Sequence, residues 1–308
     1  MNNLINSILS GNRSALARAI TLVENRDSFE LLKAIEPYAG KTHSVGITGP
    51  PGAGKSTFIN AITKEFLKKD SKIGIIAIDP SSPFTGGAVL GDRIRMKSHT
   101  LNDSVFMRSM SARGCLGGLS AKTNQVVKLM DAFGMDKVII ETVGVGQSEV
   151  DIAKTAATVI VLLAPGFGDE IQALKAGILE IADIFIVNKS DNPLSLKLLR
   201  ELERTVMMNS ETSWQIPVIR CNSETGDGLD KACELIELHL DYLKNTEEGQ
   251  KRSEIKLQSE LISLIEEKLR IEVMRKIDKI GGLNVLIQSQ ENIFDVSERV
   301  VAELLKGI

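Results

Sequence analysis

The chain has 308 residues, 43 % apolar and 25 % charged, an ordinary globular composition with room for one large α/β domain and helical extensions. Its net charge of −3 offers no global basic field for nucleic acid, and no run of about 18 apolar residues exists to span a membrane. Cys115, Cys221 and Cys233 are scattered, His43, His99 and His239 are isolated and no C-x-x-C occurs, which argues for a reducing compartment and against a disulfide framework or a structural zinc site.

The N-terminus, MNNLINSILSGNR, lacks the basic flank and apolar core of a signal peptide and the arginine content of a transit peptide, so a cytoplasmic chain is expected. Residues 1–40 pattern as helices. Leu4, Ile5, Ile8 and Leu9 form one apolar stripe and Leu16, Ala19, Ile20 and Val23 another. Asp27 with Glu30 resembles a capping box ahead of Leu31, Leu32 and Ile35, and Pro37 and Gly40 end the segment. From His43 onward, apolar runs alternate with helical stretches, and strands are expected at 44–48, 73–78, 105–110, 137–141, 158–164, 184–188 and 216–221. Continuous Val/Ile-rich runs separated by helices specify a parallel sheet buried on both faces. Leu229 to Lys244 reads as a closing helix and NTEEGQKR (245–252) as a polar linker. Then Ile255, Leu257, Leu261, Leu264, Ile265 and Leu269 pattern a long amphipathic helix, followed by a turn at Gly281-Gly282. A last helix runs from about Val296, where Asp295 with Glu298 could cap it. The apolar face of this tail must bury against the main domain or a partner chain, and the pattern leaves both open.

Gly49 to Ser56 read GPPGAGKS and fit the phosphate-binding loop G-x-x-x-x-G-K-[ST] at every defined position. A strand candidate precedes it, and Phe58, Ile59, Ile62, Phe66 and Leu67 line one side of a helical stretch after it. Strand, glycine loop and helix N-terminus together make an anion site, with backbone N–H groups pointing inward and the helix dipole favouring negative charge. Gly49, Pro50, Pro51, Gly52, Ala53, Gly54 and Thr57 are the cradle candidates. Lys55 would reach the β- and γ-phosphates, and the Ser56 hydroxyl would ligate Mg²⁺.

The run 184–188 leads into Asn188-Lys189-Ser190-Asp191, an N-K-x-D pattern. A carboxylate at Asp191 can accept hydrogen bonds from guanine N1–H and its N2 amine; adenine has neither donor and would leave the carboxylate unpaired. The Lys189 stem can lie over the base, and the Asn188 amide can tie this loop to the phosphate loop. The expected nucleotide is therefore GTP rather than ATP. A further guanine-side loop follows the next strand. Most GTPases have a sequence close to S-A-K there, whereas this chain has Asn222-Ser223, whose backbone N–H groups could still reach guanine O6.

Between these motifs, Glu141-Thr142-Val143-Gly144 stands where most GTPases carry D-x-x-G. Glu141 can hold Mg²⁺ through a water, and Gly144 can bring its N–H to the γ-phosphate and act as a pivot. Val145 occupies the place of the glutamine that orients water in Ras-like enzymes, so slow intrinsic hydrolysis is expected. Asp79, after the second strand, can hold the Mg²⁺ shell or the attacking water. Leu90-Gly91-Asp92-Arg93 reads as a switch closing over nucleotide or as a helix N-cap. Arg108, Arg113 and Gly114, Gly117 and Gly118 read as a mobile basic loop, solvated or touching phosphate or a partner.

Together, the strings GPPGAGKST, DPSSPFTGGAVLGDRIRM (79–96), RSMSARGCLGGL (108–119), ETVGVGQSE (141–149), LLAPGFGDEIQALKAGILEIAD (162–183) and NKSD resemble the methylmalonyl-CoA mutase-associated G proteins. These are the MeaB type, also called ArgK or LAO/AO transport ATPases, in the SIMIBI branch of P-loop GTPases. The resemblance spans residues 10 to 240; the tail matches only in character, as the helical arm through which members dimerise. It implies an α/β P-loop NTPase fold, a mainly parallel sheet flanked by helices. The implied organisation is an N-terminal helical extension (1–42), a GTPase domain (43–244) and a C-terminal helical dimerisation arm (245–308). It implies a GTP-hydrolysing chaperone with Mg²⁺ that gates adenosylcobalamin loading and protects or reactivates an acyl-CoA mutase. Carried onto this chain, Lys55, Asp79, Asp92 and Glu141 form the catalytic shell, Ser56, Asp79, Asp92 and Glu141 surround Mg²⁺, and Asn188, Lys189 and Asp191 read guanine. Pro165 to Lys175 matches a further switch that couples nucleotide state to the partner. Two other readings stay open. A nickel metallochaperone GTPase would carry clustered Cys or His ligands, which this chain lacks, and an ATP-dependent kinase of a transport system is opposed by NKSD.

Overall fold

Seven strands form one parallel sheet in the computed structural model, which describes residues 2–25, 28–79, 102–111, 119–142, 148–166, 178–209, 213–279, 282–283 and 292–305. They are β1 (His43–Thr48), β2 (Ile73–Asp79), β3 (Val105–Ser111), β4 (Lys137–Glu141), β5 (Thr158–Leu163), β6 (Ile184–Val187) and β7 (Val218–Arg220). Their order is β3-β2-β4-β1-β5-β6-β7, and every pairing is parallel. All seven expected strands are present, with ends moved by one or two residues. The largest trim is at β7, where Pro217 lies just outside and lends its carbonyl to Phe185 N at 2.9 Å.

Helices cover both faces, as Val/Ile-rich parallel strands require. They are α1 (Asn2–Leu9), α2 (Arg13–Asn25), α3 (Phe29–Ile35), α4 (Lys55–Leu67), α5 (Leu119–Ala132), α6 (Ser148–Thr155), α7 (Ile178–Ile181), α8 (Ser195–Asn209), α9 (Leu229–Asn245), α10 (Glu247–Lys279) and α11 (Ile293–Leu305). The pleat divides β5 between two cores: Val159, Val161 and Leu163 join the cluster under α1, α2, α3 and α5, while Ile160 and Leu162 join the one under α4 and α9. Burying each such side chain contributes about 1.5–3 kcal/mol. The N-terminal helices also close a sheet edge. Arg13 donates to the carbonyls of Asp103 (2.8 Å) and Val105 (2.7 Å) beside β3, groups that would otherwise invite another strand.

Four local expectations change. Asp27 lies outside the described residues, and the N-cap of α3 is Ser28, which makes no side-chain cap bond. The chain into β1 is instead fixed at a distance: the Asp131 carboxylate on α5 accepts Gly40, Lys41 and Thr42 N–H. The polar stretch 245–252 is helical from Glu247. Thr246 alone breaks it, its hydroxyl donating to Tyr242 O (2.8 Å) and accepting from Gly249 N (3.1 Å), so one residue ends α9 and caps α10. At the last helix the cap is Asn292, whose side chain accepts Phe294 N at 2.9 Å; Asp295 sits inside the first turn. Arg108 lies within β3 and pairs with Glu24 of α2, so it belongs to the packing of the N-terminal helices.

The chain divides into two compact units, Met1–Lys256 and Leu257–Ile308. In the second, Ile277 and Val300 are buried, while Leu257, Leu261, Ile262, Ile265 and Leu269 are each about half exposed or more. In the first, the N-terminal ends of β1, β5 and β6 meet in a buried polar chain. His43 Nε2 and His239 Nδ1 lie 2.7 and 2.8 Å from the Thr158 hydroxyl. Asp183, just before β6, accepts Val159 N (2.7 Å) and both Nη atoms of Arg252 (2.5 and 3.0 Å). Trp214 Nε1 donates to the Asp183 carbonyl at 2.8 Å, and Lys256 donates to the Ala156 carbonyl. The first turns of α10 are thus tied to the base of the sheet.

Desolvation pushes both imidazoles down, His43 to about 3 and His239 to about 4, so both are neutral in the folded chain at pH 7. An unfolded histidine binds its proton near pH 6.5. Below that pH the unfolded state takes up protons that the folded state refuses, and stability falls as pH drops from 6.5 toward 4. Burial also pushes Lys256 down to about 7 from 10.5, so stability rises with pH across that upper window. The melting temperature should fall between pH 6.5 and 4.5, and the pair His43→Gln with His239→Gln should flatten that slope. Arg252→Ala should cost about 3 kcal/mol, the low end for breaking a buried ion pair, because a third of its side chain is exposed. Urea unfolding followed by the fluorescence of Trp214, the single tryptophan, measures it.

Candidate functional site

The phosphate loop lies between β1 and α4, on the central strand of the sheet. Its two pattern glycines have separate steric causes. Gly49 has φ +141, and a Cβ there would lie 2.0 Å from the Leu162 carbonyl oxygen; Gly54 has φ +94, and a Cβ would lie 2.5 Å from Asn188 Nδ2. One glycine lets the loop leave β1 against β5, and the other lets Asn188 come alongside. Gly54 is also the N-cap of α4, with no side chain capping the helix, so the positive end of the α4 dipole opens toward the loop. Pro51 and Gly52 are exposed, Ala53 is buried and Thr57 faces outward. Lys55 is buried at 8 % exposure, and its ammonium is drawn over the loop by the carbonyls of Gly49 (2.7 Å) and Pro50 (3.2 Å).

On the β4 side, the Ser56 hydroxyl donates to Glu141 Oε1 at 2.6 Å. Glu141 ends β4 and is 7 % exposed. Two hard oxygens thus meet beside the phosphate loop, a donor set that suits Mg²⁺. Next to them Thr142 N donates to the Ile47 carbonyl at 3.1 Å and the Thr142 and Thr48 hydroxyls lie 3.0 Å apart, which locks the end of β4 to β1. Asp79 closes β2, its backbone opposite Ser111, but its side chain lies outside the described residues. Asp92 and Gly144 lie wholly outside them, as do Arg93, Arg113, Val145 and residues 167–175 of the expected partner switch. Among the described residues no group of three or more His, Cys, Asp or Glu side chains could hold a metal.

At the other end, Asn188 follows β6 and is 2 % exposed. Its Nδ2 donates to the Ala53 carbonyl (2.9 Å), and its Oδ1 accepts from Ser223 N (3.1 Å) and Ser223 Oγ (2.8 Å). Lys189, in the left-handed region at φ +57, lays its ammonium 3.2 Å from the Gly52 carbonyl. Ser190 N donates to the Cys221 carbonyl at 3.0 Å, and Asn222 Nδ2 donates to Asp191 Oδ1 at 2.7 Å. The structure therefore brings Gly49 to Thr57, Glu141, Asn188, Lys189, Asp191, Asn222 and Ser223 into one constellation. Desolvation pushes the buried thiols of Cys221 and Cys233 up to about 12, so both stay protonated. Nothing local in the sequence marks Thr48, whose role depends on Thr142 three strands of chain later, nor Asp183, an acidic residue before an apolar run.

A parallel sheet with a phosphate loop on its central strand and a second loop tied to it from two strands away defines a P-loop nucleoside triphosphatase. The chain belongs to the MeaB family of GTPases: the family described as "Methylmalonyl Co-A mutase-associated GTPase MeaB" matches residues 16–278. A relative from Pyrococcus horikoshii is 45 % identical over 273 residues, 86 % of each chain. GTPase ArgK of Escherichia coli is 39 % identical over 238 residues, covering 74 % of this chain and 72 % of its own. A solved structure described as an LAO/AO transport system kinase superposes with a TM-score of 0.71 at 27 % identity, over 99 % of this chain and 97 % of its own.

Gly54→Ala tests the junction of the two loops. The left-handed conformation costs an alanine about 1–2 kcal/mol, and its methyl group would push Asn188 from the Ala53 carbonyl. Chemical denaturation should show a loss of at least that size, whereas an unchanged midpoint would mean the loops are not in contact there.

Proposed function

We propose that the chain binds GTP between the phosphate loop and the Asn188–Asp191 loop, hydrolyses it slowly, and uses the change of nucleotide state to gate adenosylcobalamin loading and reactivation of an acyl-CoA mutase. One observation carries the nucleotide part: the Asn188 amide joins the Ala53 carbonyl to the Ser223 loop, so the phosphate and guanine ends are held at a fixed separation. Lys55, already drawn over the loop, contacts the β- and γ-phosphates, and Gly49 to Thr57 supply backbone donors at the start of α4. Ser56 and Glu141 would hold Mg²⁺, Glu141 through a water, with Asp79 and Asp92 completing the shell. When bound, the ion neutralises charge developing on the transferred phosphoryl group. Lys189 covers the base and Asp191 accepts its N1–H and N2 amine. Gly144 senses the γ-phosphate, and Val145 leaves the attacking water without a glutamine, which makes hydrolysis dependent on a partner.

The mutase as partner rests on the family's description. A homodimer formed through α10 is supported by the exposed Leu257, Leu261, Ile262, Ile265 and Leu269, a stripe that a second copy would cover. No observation among the described residues favours a nickel carrier or an ATP-dependent kinase.

The full chain, titrated calorimetrically with Mg²⁺, should bind GTP and GDP at least about 100-fold more tightly than ATP, since a missing hydrogen-bond partner in such a site costs several kcal/mol. Glu141→Gln should lower the GTP hydrolysis rate by about 10–100-fold, the usual cost of losing an outer-shell metal contact, with little change in GDP affinity. A cobalamin-dependent acyl-CoA mutase should bind the GTP-analogue and GDP forms with different affinities. Equal affinity in both forms, together with unchanged cofactor transfer, would sink the switch.

A further inference from the structure

We infer that the outward face of α8 is a docking surface for a partner protein that presents carboxylates one helical turn apart between apolar contacts, and that it is engaged in both nucleotide states. The inference rests on the reading of an acyl-CoA mutase as the partner and adds the part of this chain that holds it. α8 turns Leu198 and Leu202 into the core, with Leu199 and Val206 partly buried beside them. Its opposite face carries Leu196, Lys197, Arg200, Arg204, Met207 and Met208, all exposed. These positions fall on one stripe of the helix, about 18 Å long at 1.5 Å per residue.

The stripe differs from an ordinary solvated face in two ways. Met207 and Met208 are 78 % and 83 % exposed and so add little to the core. Such flexible, polarisable side chains suit a surface that packs against another molecule. Between Leu196 and these methionines lie the cations Lys197, Arg200 and Arg204, on a chain whose net charge is −3. Lys197 is 3.8 Å from Glu201, but among the described residues Arg200 and Arg204 form no ion pair. A guanidinium offers a planar fork that matches a carboxylate through two parallel hydrogen bonds. Two forks one turn apart match two carboxylates at the same spacing, as on an acidic helix face. The apolar residues at the ends of the stripe would close around the charged centre and exclude water.

The order of residues opposes a membrane as the occupant. A helix lying in a bilayer surface keeps an unbroken apolar face with its cations on the polar side. The apolar face of α8 is committed to the core, and the cations sit in the middle of what remains.

The attachment of α8 decides its dependence on nucleotide. Ser195, its first residue, is fully buried. Its Oγ donates to the Ser190 carbonyl at 3.1 Å and its N–H to the Asn192 carbonyl at 2.9 Å. α8 is thus fastened to the loop that contacts the base. GTP and GDP share that base and differ in the γ-phosphate, at the other end of the site. A partner seated on α8 is therefore held in either state, and the loops near the γ-phosphate are left to alter the strength or geometry of the complex.

The test measures calorimetrically how the full chain binds a cobalamin-dependent acyl-CoA mutase, in the GDP and GTP-analogue forms. It compares the unaltered chain with Arg200→Glu plus Arg204→Glu and with Met207→Ser plus Met208→Ser. Charge reversal should weaken binding about 10–100-fold, because it sets like charges against each other. The factor should be the same in both forms, with GTP hydrolysis by the chain alone unchanged. The methionine pair should weaken binding about 5–10-fold in both forms. Added salt should weaken the unaltered complex more than the charge-reversed one. Full affinity in the charge-reversed chain would overturn the inference while the partner reading stands. A loss confined to one nucleotide form would overturn it too, by making the stripe part of the switch. So would retention of the unaltered chain on vesicles of phosphatidylcholine and phosphatidylglycerol in equal parts, if charge reversal abolished it. A mutase that binds neither form of the unaltered chain would defeat the partner reading itself, and the inference with it.

Discussion

Asn188 commits the two ends of one buried amide to two different loops, donating to the Ala53 carbonyl and accepting from Ser223. The rest of the site depends on this bridge, because β1 and β6 are not neighbours: β5 lies between them. The amide reaches across the end of β5, where Asn188 N also donates to the Leu163 carbonyl at 2.7 Å. A side chain at residue 54 would occupy the same space, which gives the second glycine of the phosphate loop a role in packing as well as in phosphate approach. A buried amide with both ends satisfied is rigid, since any rotation leaves polar atoms unpaired in a low-dielectric setting.

The same three strands are held at their opposite ends. His43 opens β1 and Thr158 opens β5, hydrogen-bonded together with His239, and beside them Asp183, which precedes β6, holds Val159 N and Arg252. Strands pinned at both ends carry little freedom, and the loops they project inherit a fixed spacing. Burial keeps both imidazoles neutral, which lets them join a network that two positive rings would disrupt. The apolar layers on either side of the sheet supply most of the stabilisation, while these polar ends decide which register and which loop contacts are kept.

Much of this was legible in the chain itself. Strands β2, β4, β5 and β6 were visible because each is a short Val/Ile-rich run bounded by polar or glycine-containing segments, and burial on both faces requires that composition. GPPGAGKS and NKSD were legible because each motif's chemistry lies within eight consecutive residues or fewer. Helix caps were harder. Asp295 and Asn292 are both good cap residues three positions apart, and the backbone turns into the helix at the earlier one, where the Asn292 side chain accepts Phe294 N. The stretch 245–252 looked like a linker because its side chains are polar, yet a polar surface is also what an exposed helix shows, and Thr246 alone is enough to end one helix and start the next.

The sequence by itself determined the fold class, the phosphate loop, the guanine-type loop and the family to which they point, because periodicity and short motifs are properties of neighbouring residues. Only the tertiary structure decided that Ser56 meets Glu141, that Asn222 meets Asp191 and that Asp183 meets Arg252. Each of these partners is separated by tens of residues along the chain, and their contacts follow from strand order and loop curvature. Those depend on how the whole sheet packs, which no local window of sequence contains.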